Sequence, residues 1–468
     1  MDATEKSGTL TEQQGTPLSL GTGDIFRLLL QYAIPSVIAM TASSLYNITD
    51  SVFIGLGVGA LAISGLTITF PLMNLAAAFG SLVGAGAATL MSIRLGQKDY
   101  SMANRILGNV FTLNLILGSA FTLLVLLFLD PILLFFGASE ATLPYAHEYM
   151  VVILLGNVVT HMYLGLNAML RATGSPRKAM LATILTVIIN LVLTPFFIYV
   201  LKMGIKGAAL ATIISQVLML TWQISIFSNK SHFIHLQKGI FRLKARIVKD
   251  TFSIGLAPFL MNAVASGIVI VLNHALLRHG GDLAVGAFGI VNRVAFLFAM
   301  IVFGINQGMQ PIAGYNFGAK LYGRVNSVLK QTILLATAVT SLGFVLAEIF
   351  PQAIVSLFTR DEELIGIAIP AVRIVFIFFP IVGFQMVTSN FFQSIGMAGK
   401  AIFMSLSRQL FFLLPGLLIL PHFFQLPGVW YSMPAADLLS SLIAAGMLYS
   451  HYRSFRRLEM TELKNTTL

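Results

Sequence analysis

The chain has 468 residues, of which 57% are hydrophobic and 10% charged, with a formal net charge of +11 and no cysteine. Soluble domains carry roughly 25% charged residues, so so few cannot cover a water-facing surface, and a membrane solvent is implied. The missing cysteines exclude disulfides, thiolate metal sites and cysteine nucleophiles.

In chain order, residues 1–24 form a polar tail without the basic stretch and apolar core of a cleaved leader. Twelve apolar segments follow, each near the ~20 residues a helix needs to cross the hydrocarbon core. They cover 25–53, 58–85, 104–132, 144–170, 178–201, 205–228, 250–276, 283–312, 327–351, 364–392, 402–421 and 428–452. None alternates like a lipid-facing strand, and only helices or closed barrels satisfy their backbone groups in lipid. The predicted fold class is an all-α integral membrane protein with twelve transmembrane helices.

The first segment holds Asp50, a lone carboxylate in Tyr46-Asn47-Ile48-Thr49-Asp50-Ser51-Val52-Phe53-Ile54-Gly55. A charge near the bilayer centre costs about 3 kcal/mol on insertion scales, so it is neutralised, paired or turned to a water-filled cavity. An ion-coupling role is the favoured reading, and a buried structural carboxylate held by neighbouring donors is the plainer one. Gly80, Gly84 and Gly86 in the second segment and Gly304 and Gly308 in the eighth are spaced partly by four, which permits close helix contact. His161 reads as a hydrogen-bonded interior residue before it reads as a proton relay. Arg293, Arg373 and Asp437 read first as paired or capping groups. An arginine in a substrate path would favour anionic or zwitterionic cargo. Most of the 20 Met and 36 Phe are expected to face lipid or pack between helices.

With both termini in the cytoplasm, the inner segments collect 23 of the 29 Lys and Arg, Arg94, Lys98, Arg171 and Arg408 among them. That bias accounts for the positive charge by membrane topology and leaves no case for a nucleic-acid partner, which needs a basic patch on a soluble face. A repeat near half the chain length is also visible. Ile34-Pro35-Ser36 matches Ala257-Pro258-Phe259, Gly96-Gln97-Lys98 matches Gly318-Ala319-Lys320, and Arg171-Ala172-Thr173-Gly174 matches Gln393-Ser394-Ile395-Gly396. Two parallel six-helix halves follow, with a path between them. The expected division is a first lobe at 25–235, a basic linker at 236–249, a second lobe at 250–455 and a C-terminal tail at 456–468. At the repeat offset Asp50 faces Asn273, so the carboxylate belongs to one lobe alone.

Tyr46-Asn47-x-x-Asp50-x-x-Phe53-Ile54-Gly55, the glycine-rich Gly84 to Gly96 stretch with Gly96-Gln97-Lys98-Asp99, Arg171-Ala172-x-Gly174 and Asn190-x-x-x-x-Pro195-x-x-Ile198 carry a family resemblance. Gly207-Ala208-Ala209-x-Ala211-Thr212 and Gly428-Val429-Trp430-x-x-x-Pro434-x-Ala436-Asp437 extend it over nearly the whole chain. The chain resembles the multidrug and toxic compound extrusion (MATE) transporters, and within them the prokaryotic branch around DinF. The resemblance implies two lobes in a V, no cofactor, and export driven by returning protons or sodium. It implies an ion-coupling site of Asp50 with Tyr46, Asn190 and Thr212, and a bend of the first helix at Pro35. The chain departs from the pattern at Thr194 and Asn167, where relatives carry carboxylates. A sodium ion would draw on Asp50, Asn190 and Thr194, with Thr212 and backbone carbonyls, whereas a proton needs only Asp50. Proton coupling is the favoured reading.

The expected function is a secondary antiporter exporting amphipathic, often cationic compounds, acting as a monomer in the lipid bilayer of the plasma (inner) membrane. The runner-up is a flippase for a lipid or lipid-linked molecule. An enzyme is disfavoured, because His-Glu-x-x-His, the phosphate-binding Gly-x-x-x-x-Gly-Lys-Ser/Thr loop and Gly-x-Ser-x-Gly are all absent from the sequence.

Overall fold

Carboxylates set several of the helix starts in the computed structural model, which describes residues 19–466. Asp24 accepts from the Arg27 amide at 2.9 Å and opens α1, Ile25–Gly57. After α2, Ala60–Gly96, Asp99 accepts from the Met102 amide at 3.0 Å and opens α3, Tyr100–Leu127. Each cap satisfies an amide that has no partner inside its helix. Helix α4 is a bent pair, Leu143–Leu155 and Asn157–Ala172, at 54°. Helix α5, Pro176–Pro195, continues into the wide turn Phe196–Val200, and α6 is Ile205–Ser228.

The second half follows the same plan. Ala245–Gly318 is a helical run of 74 residues, far longer than one crossing needs, and Gly281 breaks it with φ 68° into α7 (245–280) and α8 (282–318). Helix α9 is Tyr322–Ile349, and α10 is a second bent pair, Glu362–Phe376 and Phe379–Ser394, at 52°. Helix α11 runs from Ala398–Leu406 through the wide turn Ser407–Leu413 to Leu414–Phe424, and α12 is Leu426–Thr466. With each bent pair counted as one crossing, the run broken at Gly281 as two, and α12 as the last, the helices fit the twelve-helix architecture, and the described residues contain no strand.

The repeat is written into the backbone. Left-handed residues recur 222 positions apart at Gly59 and Gly281, at Lys98 and Lys320, and at Gly174 and Gly396. For lysine that conformation costs roughly 1–2 kcal/mol, so its recurrence marks a turn that both halves require. The bent pairs occupy matching places, as do the short helices Leu129–Phe135 and Pro351–Ser356.

Packing gives the V. Ile54, Leu72, Leu133, Ile198 and Ala208 belong to a core drawn from the first half alone. Leu272, Phe376, Val429 and Trp430 belong to one drawn from the second half alone. A third core unites the halves at the end where the chain begins, through residues such as Leu20, Met91, Met169, Met309 and Phe391. The halves are therefore joined at one end and separate at the other.

Glycines make the joined end close. A methyl group on Gly304 would lie 2.6 Å from Val37 Cα, and one on Gly308 2.6 Å from the Ala33 nitrogen, so α1 packs backbone to backbone on α8 on either side of Pro35. Gly86 and Gly255 likewise leave no room for a side chain between α2 and α7. Gly80 and Gly84 face α4, beside His161 and Gly165. Arg324 fastens the same end: its Nε donates to Asn316 at 2.9 Å, and its Nη2 donates to the carbonyls of Leu20 at 3.2 Å and Gly23 at 2.6 Å.

Two boundaries differ from expectation. Helix α7 begins at Ala245, inside the stretch read as linker, and α12 runs on through most of the stretch read as tail. Of the N-terminal tail, residues 1–18 lie outside the described residues, while Ser19–Thr22 form a helical turn with Leu20 buried. The preceding connection is stitched to α3. Asn104 accepts from the His235 amide at 2.9 Å and Asn109 from the Lys244 amide at 3.0 Å.

Gly308→Ala should push α1 off α8 and weaken this arrangement by about 1–3 kcal/mol, the usual cost of overpacking. Distances between spin labels on α1 and α8 would lengthen or broaden; an unchanged distance distribution and melting temperature would contradict the assignment.

Candidate ion-coupling site

Helical spacing places the polar groups on facing surfaces. Tyr46 and Asp50 are four apart on α1, Asn190 and Thr194 four apart on α5, so each pair shares one face of its helix. Thr212 comes from α6. Asp50, Asn190 and Thr194 are buried.

The five side chains form one hydrogen-bonded chain. Thr194 Oγ1 lies 3.2 Å from Asp50 Oδ1 and 2.9 Å from Asn190 Oδ1. Asn190 Nδ2 donates to Thr212 Oγ1 at 3.1 Å and reaches the Tyr46 hydroxyl at 3.5 Å. The Tyr46 and Thr212 hydroxyls are 2.8 Å apart, and Thr212 donates to the Ala208 carbonyl at 3.2 Å. All of the residues that the resemblance implied for the site, together with Thr194, thus come together across α1, α5 and α6.

Counting hydrogens shows what this chain can do. Thr194 has one hydroxyl proton and faces two acceptors. If Asp50 is protonated, its hydroxyl donates to Thr194, Thr194 donates to Asn190 Oδ1, and every donor has an acceptor. If Asp50 is ionised, Thr194 turns to the carboxylate, and full satisfaction requires the Asn190 amide to present its NH2 to Thr194. Protonation at Asp50 would therefore reverse the direction of the chain as far as the Asn190 amide, which faces the Tyr46 and Thr212 hydroxyls. Among the described residues no Lys, Arg or His pairs with Asp50, and no three His, Cys, Asp or Glu cluster as a metal site would need.

Pro35 sits on the same helix as Asp50, toward the joined end. Proline has no N–H for the carbonyl four residues back, yet α1 runs from Ile25 to Gly57 as one helix, with the Ser36 hydroxyl donating to the Tyr32 carbonyl at 2.9 Å. The structure thus holds the unbroken form of a helix with one weak point.

The remaining candidates fall elsewhere. His161 is fully buried and bonds the Ala76 carbonyl through Nε2 at 2.9 Å, in keeping with an interior role. Asn167 accepts from Arg171 and donates to the Ala179 carbonyl and the Thr183 hydroxyl, so it belongs to a separate network between α4 and α5. Arg373 lies 3.9 Å from Glu348, both partly exposed. Asp437 is paired with neither Arg293 nor Arg373 but with Arg408, at 2.5 Å. Arg408 is therefore a correction: counted above with the inner topology residues, it lies inside α11. The visible signal was its place in Met404-Ser405-Leu406-Ser407-Arg408-Gln409-Leu410-Phe411, within the eleventh apolar segment.

Comparison with known proteins agrees with this architecture. The chain is 27% identical over 425 residues to the multidrug export protein MepA of Staphylococcus aureus, covering 91% of this chain and 94% of that protein. MepA of Staphylococcus haemolyticus is 26% identical over 426 residues, with the same coverage of 91% and 94%. Among solved structures, an outward-facing multidrug resistance MATE transporter of the MOP superfamily superposes with a TM-score of 0.88 at 26% identity, covering 96% of this chain and 100% of that one. A MATE protein in a bent conformation superposes at 0.89, with 26% identity and coverage of 95% and 98%. The MatE family model matches twice, at residues 35–196 and 258–417, once on each repeat. With both halves matched and the twelve-helix V in place, the chain belongs to the MatE family of membrane transporters.

Proposed function

We propose that this protein is a proton-coupled antiporter that exports amphipathic, often cationic organic compounds, with protons returning through Asp50. The observation that carries the reading is a buried carboxylate without a cationic partner among the described residues, joined through Thr194 and Asn190 to Tyr46 and Thr212. Such a group is costly when ionised in a low-dielectric interior, so proton binding or cation binding stabilises it. Competition between the two for one carboxylate is antiport in its simplest form.

Two features support the proton over sodium. Asp50 Oδ1, Thr194 Oγ1 and Asn190 Oδ1 are turned to one another at 2.9 and 3.2 Å, whereas a hard cation needs several oxygens turned toward itself. The hydrogen-bond chain also has two fully satisfied settings that differ by one proton. The movement associated with this change would be a bend of α1 at Pro35, since site and weak point share one helix. Relatives of this fold have been solved in bent and in straight conformations, and MepA is named for multidrug export. In this reading 25–235 and 250–455 move as lobes about the 236–249 linker, with both termini in the cytoplasm and the chain in the plasma (inner) membrane.

In proteoliposomes loaded with a cationic dye, a pH gradient alone should drive dye movement and a sodium gradient alone should not. Asp50→Asn should bring the rate down to that of protein-free vesicles. Dye movement that survives this substitution, or that follows sodium alone, would overturn the proton assignment. Thr194→Val keeps the acid and removes the relay to Asn190. It should lower the pH-driven rate by roughly tenfold, the effect of losing one buried hydrogen bond of about 1.4 kcal/mol, and an unchanged rate would remove Thr194 from the site. Pro35→Ala restores the missing N–H and should slow transport while leaving dye binding unchanged; a loss of binding would place Pro35 in the site itself.

A further inference from the structure

The second half carries its own buried charge, and the proposal above makes no use of it. Arg408 Nε donates to Asp437 Oδ1 at 2.5 Å, and Asp437 is 4% exposed. Arg408 lies about ten residues into α11 and Asp437 about eleven into α12, which places both roughly 15 Å from a helix end, near mid-membrane. One third of the Arg408 side chain, 31%, stays exposed, and among the described residues only Nε of the guanidinium has a hydrogen-bond partner. A guanidinium at that depth cannot turn to lipid without a cost of several kcal/mol, which favours an exposed edge turned to the space between the halves.

The repeat locates that space. The first-half positions matching Arg408 and Asp437 are Thr186 and Ser215, one helical turn from Asn190 and Thr212 toward the joined end. There the groups are neutral: Thr186 donates to the Tyr163 hydroxyl at 3.1 Å and Ser215 to the Ala211 carbonyl at 2.7 Å. The charge arrangement is thus reversed between the halves, an unpaired acid in one and an arginine with a free edge in the other. Arg408 also lies in the wide turn Ser407–Leu413, and wide turns within helices recur at functional sites. Helix α5 has its own, Phe196–Val200, two residues beyond Thr194.

We propose that Arg408, oriented by Asp437, is a binding site in the second half for the carboxylate of a zwitterionic substrate. Asp437 holds the guanidinium through Nε and fixes its plane, and Nη1 and Nη2 then form the fork that accepts a carboxylate in two parallel hydrogen bonds. The cationic end of the same molecule is left to the first half, where Asp50 lies. The site rests on the exporter reading and names a substrate class for it.

The test uses the full-length protein in proteoliposomes with a rhodamine bearing a free benzoate carboxylate and with the methyl ester of the same dye. Arg408→Gln combined with Asp437→Asn removes both charges together, so that no buried carboxylate is stranded. The ratio of acid to ester affinity should fall about tenfold in this variant, equivalent to one charge-assisted bond of about 1.4 kcal/mol, while pH-driven ester transport persists. In the unaltered protein, excess benzoate should displace the acid dye and leave the ester bound, a readout that does not depend on any variant folding. A ratio unchanged by the substitutions, or benzoate displacing neither dye or both equally, would overturn the site. Persistent ester transport in that case leaves the exporter reading standing, and absence of gradient-driven transport of either dye removes the exporter reading itself.

Discussion

A charge inside a bilayer is stabilised only by what the protein places beside it, and this constraint organises the molecule. Apolar side chains can face lipid anywhere along the helices, so they leave position and partner largely free. Asp50 has no such freedom. Its burial is met by the Thr194 hydroxyl of α5, which Asn190 in turn links to Thr212 of α6, and an ionised carboxylate there needs a proton or cation to complete the neutralisation. Asp437 meets the same requirement differently, with Arg408 as its ion-pair partner. One carboxylate has an arginine beside it and the other is held by hydrogen bonds, which divides the halves by chemistry although they share a backbone plan.

Movement follows from where the polar chain is anchored. Asp50 and Tyr46 ride on α1, and α1 meets the second half backbone to backbone at Gly304 and Gly308, around the proline that weakens it. A change in hydrogen-bond direction at one end of α1 therefore acts on a helix already pinned at the other. Arg324 adds to the pin by gripping the carbonyls of Leu20 and Gly23. Closure of the joined end thus depends on tight packing and a few directed bonds, the kind of interface that has two discrete arrangements more readily than a continuum.

Much of this was legible in the sequence, for identifiable reasons. Apolar run length is a direct consequence of bilayer thickness, so the twelve crossings could be counted even where Ala245–Gly318 conceals the break at Gly281. Asp50 stood out because its surroundings are apolar, and Asn190 and Thr212 came through family resemblance. What spacing could not supply was the partner across helices. Asp437 was read against Arg293 and Arg373, whereas the contact is with Arg408, since position along one helix says nothing about which face a neighbour presents. The asparagines of α3 that hold the 229–244 connection were invisible for the same reason. The wide turns in α5 and α11 leave no signature in hydropathy at all.

The proposed exchange uses one proton and one carboxylate, and proton release on substrate binding tests this most directly. In weakly buffered detergent solution with a pH indicator, addition of a cationic substrate to the purified protein should release up to about one proton per molecule bound, because a single acid carries the exchange. The release should vanish in Asp50→Asn even at substrate concentrations that saturate the variant. Binding without proton release in the unaltered protein, or release that persists in Asp50→Asn, would contradict it.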